Sequence, residues 1–378
     1  MKAIIEQINQ VGQSLWYDNI ERKLLQDGTL AGMIERGEIR GITSNPSIFN
    51  KAISQSSTYD ADIIKYTEQG FSREEAFEKL AVEDIQAASD LFRQLYDESA
   101  GGDGYVSLEV DPFLANQTEE TVSEAKKLWK LVDRPNLMVK IPATLEGLPA
   151  ITEAIAAGIN VNVTLIFSLD RYQQVMEAYL AGLERRMAED KPLAGIASVA
   201  SFFLSRIDTK VDQVLANIEE NNPSEQSKDV EELLGKAALA SGKLAYERYQ
   251  QTFGESAERY QALAAAGANP QRVLWASTST KNPSYPDTYY VDNLVGSGTV
   301  NTIPPKTLQA FLDHGKAEES ISQGLEASRE VFVKLADLGV DLREITDELE
   351  QEGVRAFADA YSSLLDSLEK RMEDFRGN

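Results

Sequence analysis

The sequence predicts an α/β protein folded as a (β/α)8 barrel with extra helices, and three observations support this fold class. Eight short apolar runs alternate with longer segments of helical periodicity, a pattern typical of parallel βα units. The number of runs favours a closed barrel over an open doubly wound sheet, and the first run is not followed by the G-x-G-x-x-G turn of dinucleotide-binding sheets. Because no internal repeat or linker interrupts the chain, we predict a single barrel domain over residues 1–378.

The predicted strands are short runs rich in Val, Ile and Leu and bounded by turn residues. In order they are QSLWYD (13–18), IRGITSN (39–45), GYVSLEVDP (104–112), NLMVKIPAT (136–144), NVNVTLIF (160–167), GIASVASFF (195–203), QRVLWAST (271–278) and TVNTIPP (299–305). Nearly continuous apolar runs are typical of strands that are buried on both faces, as the strands of a parallel barrel are.

The segments between the strands show the apolar periodicity of helices. Helices are predicted over residues 19–37, 118–132, 145–158, 169–189 and 305–315. Extra helices are predicted in an excursion between the second and third strands, residues 47–99, and in a C-terminal tail, residues 343–370. Within the excursion, Ser72 followed closely by glutamate is a typical N-cap. The polar segment 219–232 predicts a surface loop in an insertion between the sixth and seventh strands.

The composition excludes several classes of chemistry. The chain has 61 acidic and 37 basic residues, a net charge of −24, so its surface should repel nucleic acid and membrane lipid, and an anionic substrate would need a local basic pocket. The chain has no cysteine, which excludes a thiolate site. It has one histidine, His314, which makes a histidine metal centre or a Ser-His-Asp triad very improbable. No long apolar run or signal-like N-terminus occurs, so we expect a soluble, cytoplasmic protein.

Polar side chains gather at the carboxyl ends of the predicted strands, where barrels of this kind carry their active sites. They are Asp18, Thr43, Ser44, Asn45, Glu109, Asp111, Lys140, Asn162, Thr164, Ser201, Arg206, and Ser277 to Lys281. Any one of them alone could be structural. Four buried polar groups on the third, fourth and fifth strands would each cost on the order of 1 to 3 kcal/mol, which favours a shared function.

Lys140 interrupts the apolar run LMVKIP, and its position has two interpretations. Burial disfavours the ammonium form and so favours a neutral amine that can attack a carbonyl, whereas a nearby carboxylate such as Glu109 favours the ammonium. In the first case Glu109 would transfer protons through water. In the second, the two residues would form a buried ion pair without chemistry. The residues alone leave both interpretations open.

The loops at the same end of the barrel pose similar choices. Asn45, in ITSNPSIF, either ends a strand in an Asn-Pro turn or presents its amide to substrate hydroxyls, as donor and acceptor. Arg206, in SRID, forms either a surface salt bridge or a fork for phosphate. In the second case Lys281 and the hydroxyls of STSTK, Ser277 among them, would complete the phosphate site.

Six motifs in order resemble the transaldolase family, specifically its longer bacterial subgroup. They are GITSNPSIF, SLEVDPFLA, LMVKIPAT, NVNVTLIFS, SVASFFLSRID and LWASTSTKNP with its continuation to IPP, and the match runs from about residue 14 to residue 312. The resemblance implies a barrel of the class I aldolase type without metal or organic cofactor. It also implies transfer of a dihydroxyacetone unit from fructose 6-phosphate or sedoheptulose 7-phosphate to an aldose phosphate, in the non-oxidative pentose phosphate pathway.

The resemblance also implies roles for individual residues. Lys140 would form the Schiff base, and Asp18 would be the general acid and base at the donor's C4 hydroxyl. Glu109 with Thr164 would relay protons through a water. The dihydroxyacetone unit would be oriented by Asn45, Asn162 and Ser201, and the phosphate would be bound by Arg206. Two positions depart from the shorter subgroup: Phe202 replaces a proline, and Lys281 is the nearest cation where that subgroup has a second arginine. Phe203 lies where an apolar ring excludes water in the family, which favours transfer over hydrolysis.

Two other functions compete with the transferase. One is a fructose phosphate aldolase that releases free dihydroxyacetone. The other is a catalytically silent barrel that serves as an interaction protein through its acidic surface. The expected partners are small sugar phosphates, with no nucleic acid and no membrane, and the chain could be a monomer or a homodimer.

Overall fold

Eight parallel strands close into a barrel in sequence order, which confirms the predicted fold class. The computed structural model describes residues 2–221 and 227–376. The strands are β1 Ser14–Tyr17, β2 Gly41–Ile42, β3 Tyr105–Glu109, β4 Leu137–Pro142, β5 Val161–Ile166, β6 Ser198–Phe203, β7 Arg272–Ala276 and β8 Val300–Ile303. Each lies within the run predicted for it and is shorter, because the turn residues at its ends do not join the ladder.

Helices surround the barrel and cover one of its ends. In the described residues they are α1 Lys2–Val11, α2 Arg22–Gln26, α3 Thr29–Glu35, α4 Pro46–Gln55, α5 Asp60–Glu68, α6 Arg73–Glu98, α7 Thr118–Val132, α8 Gly147–Ala157, α9 Leu169–Ala188, α10 Ser205–Asn221, α11 Ser227–Leu233, α12 Ala237–Phe253, α13 Glu258–Ala265, α14 Tyr289–Asn293, α15 Pro305–His314, α16 Leu325–Asp337 and α17 Leu342–Arg376. Short 3-10 turns occupy Ser57–Tyr59 and Pro112–Leu114. The excursion between β2 and β3 holds α4, α5 and α6, and Ser72 caps α6 in a complete capping box with Glu75.

Two local predictions were wrong. The single helix predicted over residues 19–37 is broken into α2 and α3 at Gly28, whose φ of 81° ends the helical ladder. The surface loop predicted over residues 219–232 is helical in its described parts, at the end of α10 and in α11, whereas residues 222–226 lie outside the described residues. In α11, Val230 and Leu233 lie three positions apart and are each 1% exposed, a periodicity that the surrounding charges obscured.

The amino-terminal end of the barrel is sealed by side chains, so a ligand can enter only from the other end. Trp16 fills the interior beside Gly41, where an added Cβ would lie 2.6 Å from the indole ring. Below it, the buried Asp103 accepts hydrogen bonds from Arg40 at 2.6 Å and from Arg272 at 3.3 Å. This paired ionic cluster occupies the end of the barrel opposite the carboxyl ends of the strands.

The C-terminal helix α17 crosses the opposite end of the barrel, over the carboxyl ends of the strands. Near its start, Glu350 accepts from Arg171 at the beginning of α9, at 3.0 Å. Gly353 then packs against β5, and further along the helix Ser363 accepts from Asn50 in α4, at 3.0 Å. Because α9 follows β5 and α4 follows β2, the helix spans the mouth between these strands. Of the helices in the described part of the chain, none is long and apolar enough to cross a membrane.

Candidate active site

The register of the barrel brings the polar residues of β3, β4 and β5 onto one surface inside the mouth. Glu109 pairs with Lys140, Lys140 pairs with Asn162, and Pro142 pairs with Thr164. Residues paired across parallel strands point to the same side of the sheet, so these side chains face the barrel axis together. Near the end of β5, Leu165 has a positive φ of 62° and lies within a shift of register between β5 and β6.

Lys140 is buried at the centre of this surface. Its side chain is 7% exposed, and Nζ donates to the carbonyl oxygen of Ser44 at 3.0 Å. The nearest carboxylate oxygen, Oε1 of Glu109, lies 3.8 Å away, longer than the 2.7 to 2.9 Å of a charge-assisted hydrogen bond. The ring centroid of Phe357, in α17, lies 5.8 Å from Nζ. Lys140 is therefore held by a neutral carbonyl and only loosely paired with an acid.

Glu109 is poised to exchange a proton near neutral pH. Burial raises the pKa of this carboxyl to about 7, the Lys140 ammonium opposes the rise, and Asp18 adds to it. Its Oε2 atom is buried and accepts no hydrogen bond from the residues that the structure describes, and Oγ1 of Thr164 is likewise buried and unpaired within them. Two such oxygens beside an amine suit a relay that works through a substrate hydroxyl or a water.

Asp18, at the end of β1, is fixed by a chain of hydroxyls. Oγ1 of Thr43 donates to Asp18 Oδ1 at 2.7 Å, and the hydroxyl of Thr302 lies 2.7 Å from Thr43 Oγ1. Since Thr43 gives its proton to the aspartate, Thr302 must be the donor in the second contact. Burial raises the pKa of Asp18, while the hydrogen bond from Thr43 and the cations Lys140 and Lys281 oppose the rise. This carboxyl can both take and return a proton.

The amide and hydroxyl groups expected to orient a substrate differ in the hydrogen bonds that they already make within the protein. Asn162 donates to Ser107 at 3.0 Å and accepts from Ser201 at 2.7 Å, so these side chains form a fixed buried row. Asn45 uses its Oδ1 to cap α4, accepting from the Ile48 amide at 3.0 Å. The cap uses one acceptor position of this oxygen, and the amide nitrogen remains as a donor.

Two cations lie together near the mouth, without a neutralising acid in contact. The Arg206 guanidinium lies 5.5 Å from the Phe203 ring centroid and forms no ion pair in the described ranges, and Glu352 attracts it only at longer range. Desolvation lowers the pKa of Arg206, and desolvation followed by repulsion from Arg206 lowers the pKa of Lys281. Lys281 donates to Ser279 at 2.9 Å. Cations that destabilise each other in this way favour an anion such as phosphate.

Phe203 and Ser277 support this end of the site in different ways. Phe203 is buried and packs on Phe167, with ring centroids 5.3 Å apart, so an apolar wall flanks Arg206. Ser277 has a positive φ of 56°, and its hydroxyl lies 2.7 Å from that of Ser205. It therefore ties the end of β7 to the residue that precedes Arg206, and contributes to the site through that contact.

The site contains residues that the sequence analysis did not predict, and one residue that the sequence analysis considered lies outside it. Thr302 and Ser107 each lie on an inward position of a strand, so strand alternation could have identified them. Phe357 had no local signal, because it comes from a helix far along the chain. Asp111 turns away from the barrel axis and caps the turn at Pro112–Leu114, where its Oδ1 accepts from the Phe113 amide at 2.9 Å.

Within the described ranges, no group of three or more His, Cys, Asp or Glu side chains is arranged to hold a metal ion.

Comparison with known proteins places this arrangement in context. A family model described as Transaldolase/Fructose-6-phosphate aldolase matches residues 15–368. A transaldolase of Parafrankia sp. (strain EAN1pec) is 48% identical over 373 residues, which cover 98% of this chain and 99% of that protein. A transaldolase of Thermobifida fusca (strain YX) is 47% identical over the same shares of the two chains. A third, from Trichodesmium erythraeum (strain IMS101), is 44% identical over 97% of each chain.

Proposed function

The chain belongs to the transaldolase/fructose-6-phosphate aldolase family and is a transferase of the transaldolase type, and we propose that it works through a Schiff base on Lys140. The proposed donors are fructose 6-phosphate and sedoheptulose 7-phosphate. The proposed acceptors are erythrose 4-phosphate and glyceraldehyde 3-phosphate. The unit transferred is dihydroxyacetone, and the proposed setting is the non-oxidative pentose phosphate pathway.

The observation that carries the proposal is the buried Lys140 amine, 3.0 Å from a carbonyl and 3.8 Å from Glu109. The amine adds to the C2 carbonyl of the donor, and the resulting carbinolamine loses water to give an iminium. Glu109 supplies the proton that the leaving hydroxyl needs and takes it back on hydrolysis, with Thr164 as the second member of the relay. A carboxyl with a pKa of about 7 suits both directions at neutral pH.

Cleavage of the carbon-carbon bond is assigned to Asp18. The carboxylate takes the proton of the C4 hydroxyl, the C3–C4 bond breaks, and its electron pair moves into the iminium to form an enamine. The first aldose phosphate leaves, and the enamine attacks the aldehyde of the acceptor. Asp18 then returns the proton to the new hydroxyl. The hydrogen bond from Thr43, at 2.7 Å, keeps the carboxylate oriented through both steps.

Recognition of the substrate is assigned to the remaining polar groups of the mouth. Arg206 and Lys281 would bind the phosphate, because a dianion relieves the repulsion between them. Asn162, Ser201 and the amide nitrogen of Asn45 would hold the hydroxyls of the dihydroxyacetone unit. The Phe203 wall beside Arg206 keeps the enamine away from water, which favours transfer over release of free dihydroxyacetone.

Product analysis tests the proposal. The purified chain is incubated with fructose 6-phosphate, with and without erythrose 4-phosphate, and sedoheptulose 7-phosphate and free dihydroxyacetone are quantified. We expect sedoheptulose 7-phosphate only with the acceptor, and little free dihydroxyacetone. Lys140→Met should abolish transfer, whereas Lys51→Met, which changes an exposed lysine of α4, should not.

Other outcomes decide between the alternatives. Free dihydroxyacetone as the main product in the presence of the acceptor would indicate the aldolase. No reaction by the unmodified chain would leave the silent barrel as the surviving interpretation. Transfer by the Lys140→Met variant at the unmodified rate would contradict the role of this lysine.

A further inference from the structure

Phe357 of α17 is brought to the reactive lysine from the far end of the sequence. Its ring centroid lies 5.8 Å from Lys140 Nζ, within the range at which an aromatic face attracts a cation. The residue is only 9% exposed although it lies on a helix that crosses the open end of the barrel. The proposed reaction assigns no task to this ring.

Phe357 also bounds a small compartment next to Glu109. Together with Leu165 and Val354, it lines a cavity of about 10 Å³ that borders Glu109 and Pro142. A cavity of this size holds at most a single water molecule. The compartment exists only because α17 closes it, since Val354 and Phe357 belong to that helix.

The position of the ring is fixed by close packing of α17 on β5. Gly353 lies one helical turn before Phe357, and a Cβ added there would lie 2.9 Å from Leu165 Cδ2. Leu165 is itself buried and held with a positive φ of 62° at the register shift of β5. The helix can approach the strand this closely because residue 353 has no side chain, and the approach carries Phe357 to Lys140.

We infer that Phe357 is a positioning residue of this active site, which stabilises positive charge at the nitrogen of Lys140 and, with Val354, excludes water from the side of Glu109 that faces α17. The inference rests on the proposed Schiff base. The aromatic face stabilises the ammonium and then the iminium, and the ring fills space on the α17 side of Glu109 that water would otherwise occupy.

The consequence concerns the fate of the enamine after cleavage. If water reaches it, a proton adds to the nucleophilic carbon and gives an iminium. One water then adds across the carbon-nitrogen bond, dihydroxyacetone leaves, and the amine and the proton are restored. With water excluded from this side of the site, the enamine persists until an acceptor aldehyde arrives. Phe357 therefore acts together with the Phe203 wall on the partition between transfer and hydrolysis.

The test measures this partition in variants of the full chain. Phe357→Ala and Phe357→Leu are supplied with fructose 6-phosphate and erythrose 4-phosphate, and the ratio of free dihydroxyacetone to transferred product is determined. Borohydride trapping on Lys140 is measured in parallel. We expect Phe357→Ala to keep the adduct and to raise the ratio on the order of tenfold. Phe357→Leu, which retains apolar volume without the aromatic face, should give a smaller rise.

A matched change on the same helix separates positioning from stability. Leu365→Ala removes a buried side chain of α17 two turns away from Phe357, and should lower thermal stability without changing the ratio. An equal rise of the ratio in Leu365→Ala and Phe357→Ala would overturn the inference, as would an unchanged ratio in Phe357→Ala with its adduct intact. If the unmodified chain forms no adduct, the proposed Schiff base fails and this inference fails with it.

Discussion

Glu109 and Lys140 face each other on adjacent strands, yet burial dominates the protonation of the carboxyl. Its pKa is raised to about 7 because desolvation outweighs the attraction of the ammonium 3.8 Å away. The sequence offered a choice between an ion pair and a relay. The long separation, and the two oxygens of Glu109 and Thr164 that remain without partners in the described residues, favour the relay.

Replacing Glu109 by glutamine should change how stability depends on pH. Between its ordinary pKa of 4.5 and about 7, Glu109 binds more proton in the folded than in the unfolded chain, so the free energy of unfolding falls as pH rises through this window. The loss is roughly 3 kcal/mol by pH 8. Glu109→Gln has no carboxyl to titrate and so lacks this loss. The free energy of unfolding of the variant, minus that of the unmodified chain, should therefore be larger at pH 8 than at pH 4.

Urea unfolding at the two pH values measures the effect. Glu119→Gln, which changes an exposed glutamate of α7, is the control and should behave as the unmodified chain does at both. If the difference between Glu109→Gln and the unmodified chain is the same at pH 4 and pH 8, the raised pKa is refuted.

Replacing Asp18 by asparagine should separate imine formation from cleavage. The amide retains the shape of the carboxylate but cannot take the C4 proton, so the Schiff base should form while turnover drops by a factor of about 100 or more. Borohydride trapping and steady-state kinetics on the same variant measure the two steps. The companion variant Thr43→Val loses the 2.7 Å hydrogen bond and should be slowed less. Turnover of Asp18→Asn near the unmodified rate would refute the assigned role.

Strand alternation explains which residues of the site could be predicted from the sequence. Lys140 and Glu109 stood out because each is a charge within an otherwise apolar run, and their register makes them neighbours. Thr302 follows the same alternation, but threonine is common in strands, so its residue type did not distinguish it. The hydrogen bond from the Ile48 amide to the Asn45 oxygen depends on where α4 starts, which the Asn-Pro pair suggested but did not decide.

At the scale of elements, α17 is the part of the fold whose helical nature was predictable and whose location was not. Its periodicity reports that one face is buried, but many faces of a barrel could bury it. The location follows from tertiary contacts such as Gly353 against β5 and Ser363 with Asn50. The break between α2 and α3 was not predicted, because the apolar periodicity continues across Gly28, where the helix is interrupted.

Replacing Gly353 by valine should loosen α17 from β5. A Cβ at this position would lie 2.9 Å from Leu165 Cδ2, so the helix or the leucine must move, and we expect a cost of about 1 to 3 kcal/mol. Ala356→Val adds a similar side chain on the exposed face of the same helix and should cost less than 1 kcal/mol. Urea unfolding measures both free energies, and equal costs would contradict the packing described for Gly353.

The whole molecule is strongly acidic, with a net charge of −24, yet its proposed substrates carry phosphate. The field of the surface opposes their approach, so binding depends on local cations at the mouth. Arg206 and Lys281 meet this need because neither is neutralised by an ion pair in the parts of the chain that the structure describes. The expectation of a basic pocket came from composition, and Arg206 and Lys281 could be named from the sequence, but only the fold shows that the two cations lie close enough to repel each other.

Replacing Arg206 by lysine should weaken the binding of phosphorylated donors specifically. Lysine keeps the charge but lacks the planar fork, so we expect KM for fructose 6-phosphate to rise about tenfold with a smaller change in kcat. Unphosphorylated fructose is the control substrate, and its kcat/KM should stay within about twofold. A loss of the same size for both sugars would show that Arg206 does not act on the phosphate.

The most direct test of the mechanism is to locate the trapped intermediate on the chain. The unmodified chain is incubated with fructose 6-phosphate, reduced with borohydride, digested and examined by mass spectrometry. We predict one dihydroxyacetone-derived adduct, on the peptide that contains Lys140, and its absence in Lys140→Met. An adduct on a different lysine, or transfer activity without any adduct, would contradict the account.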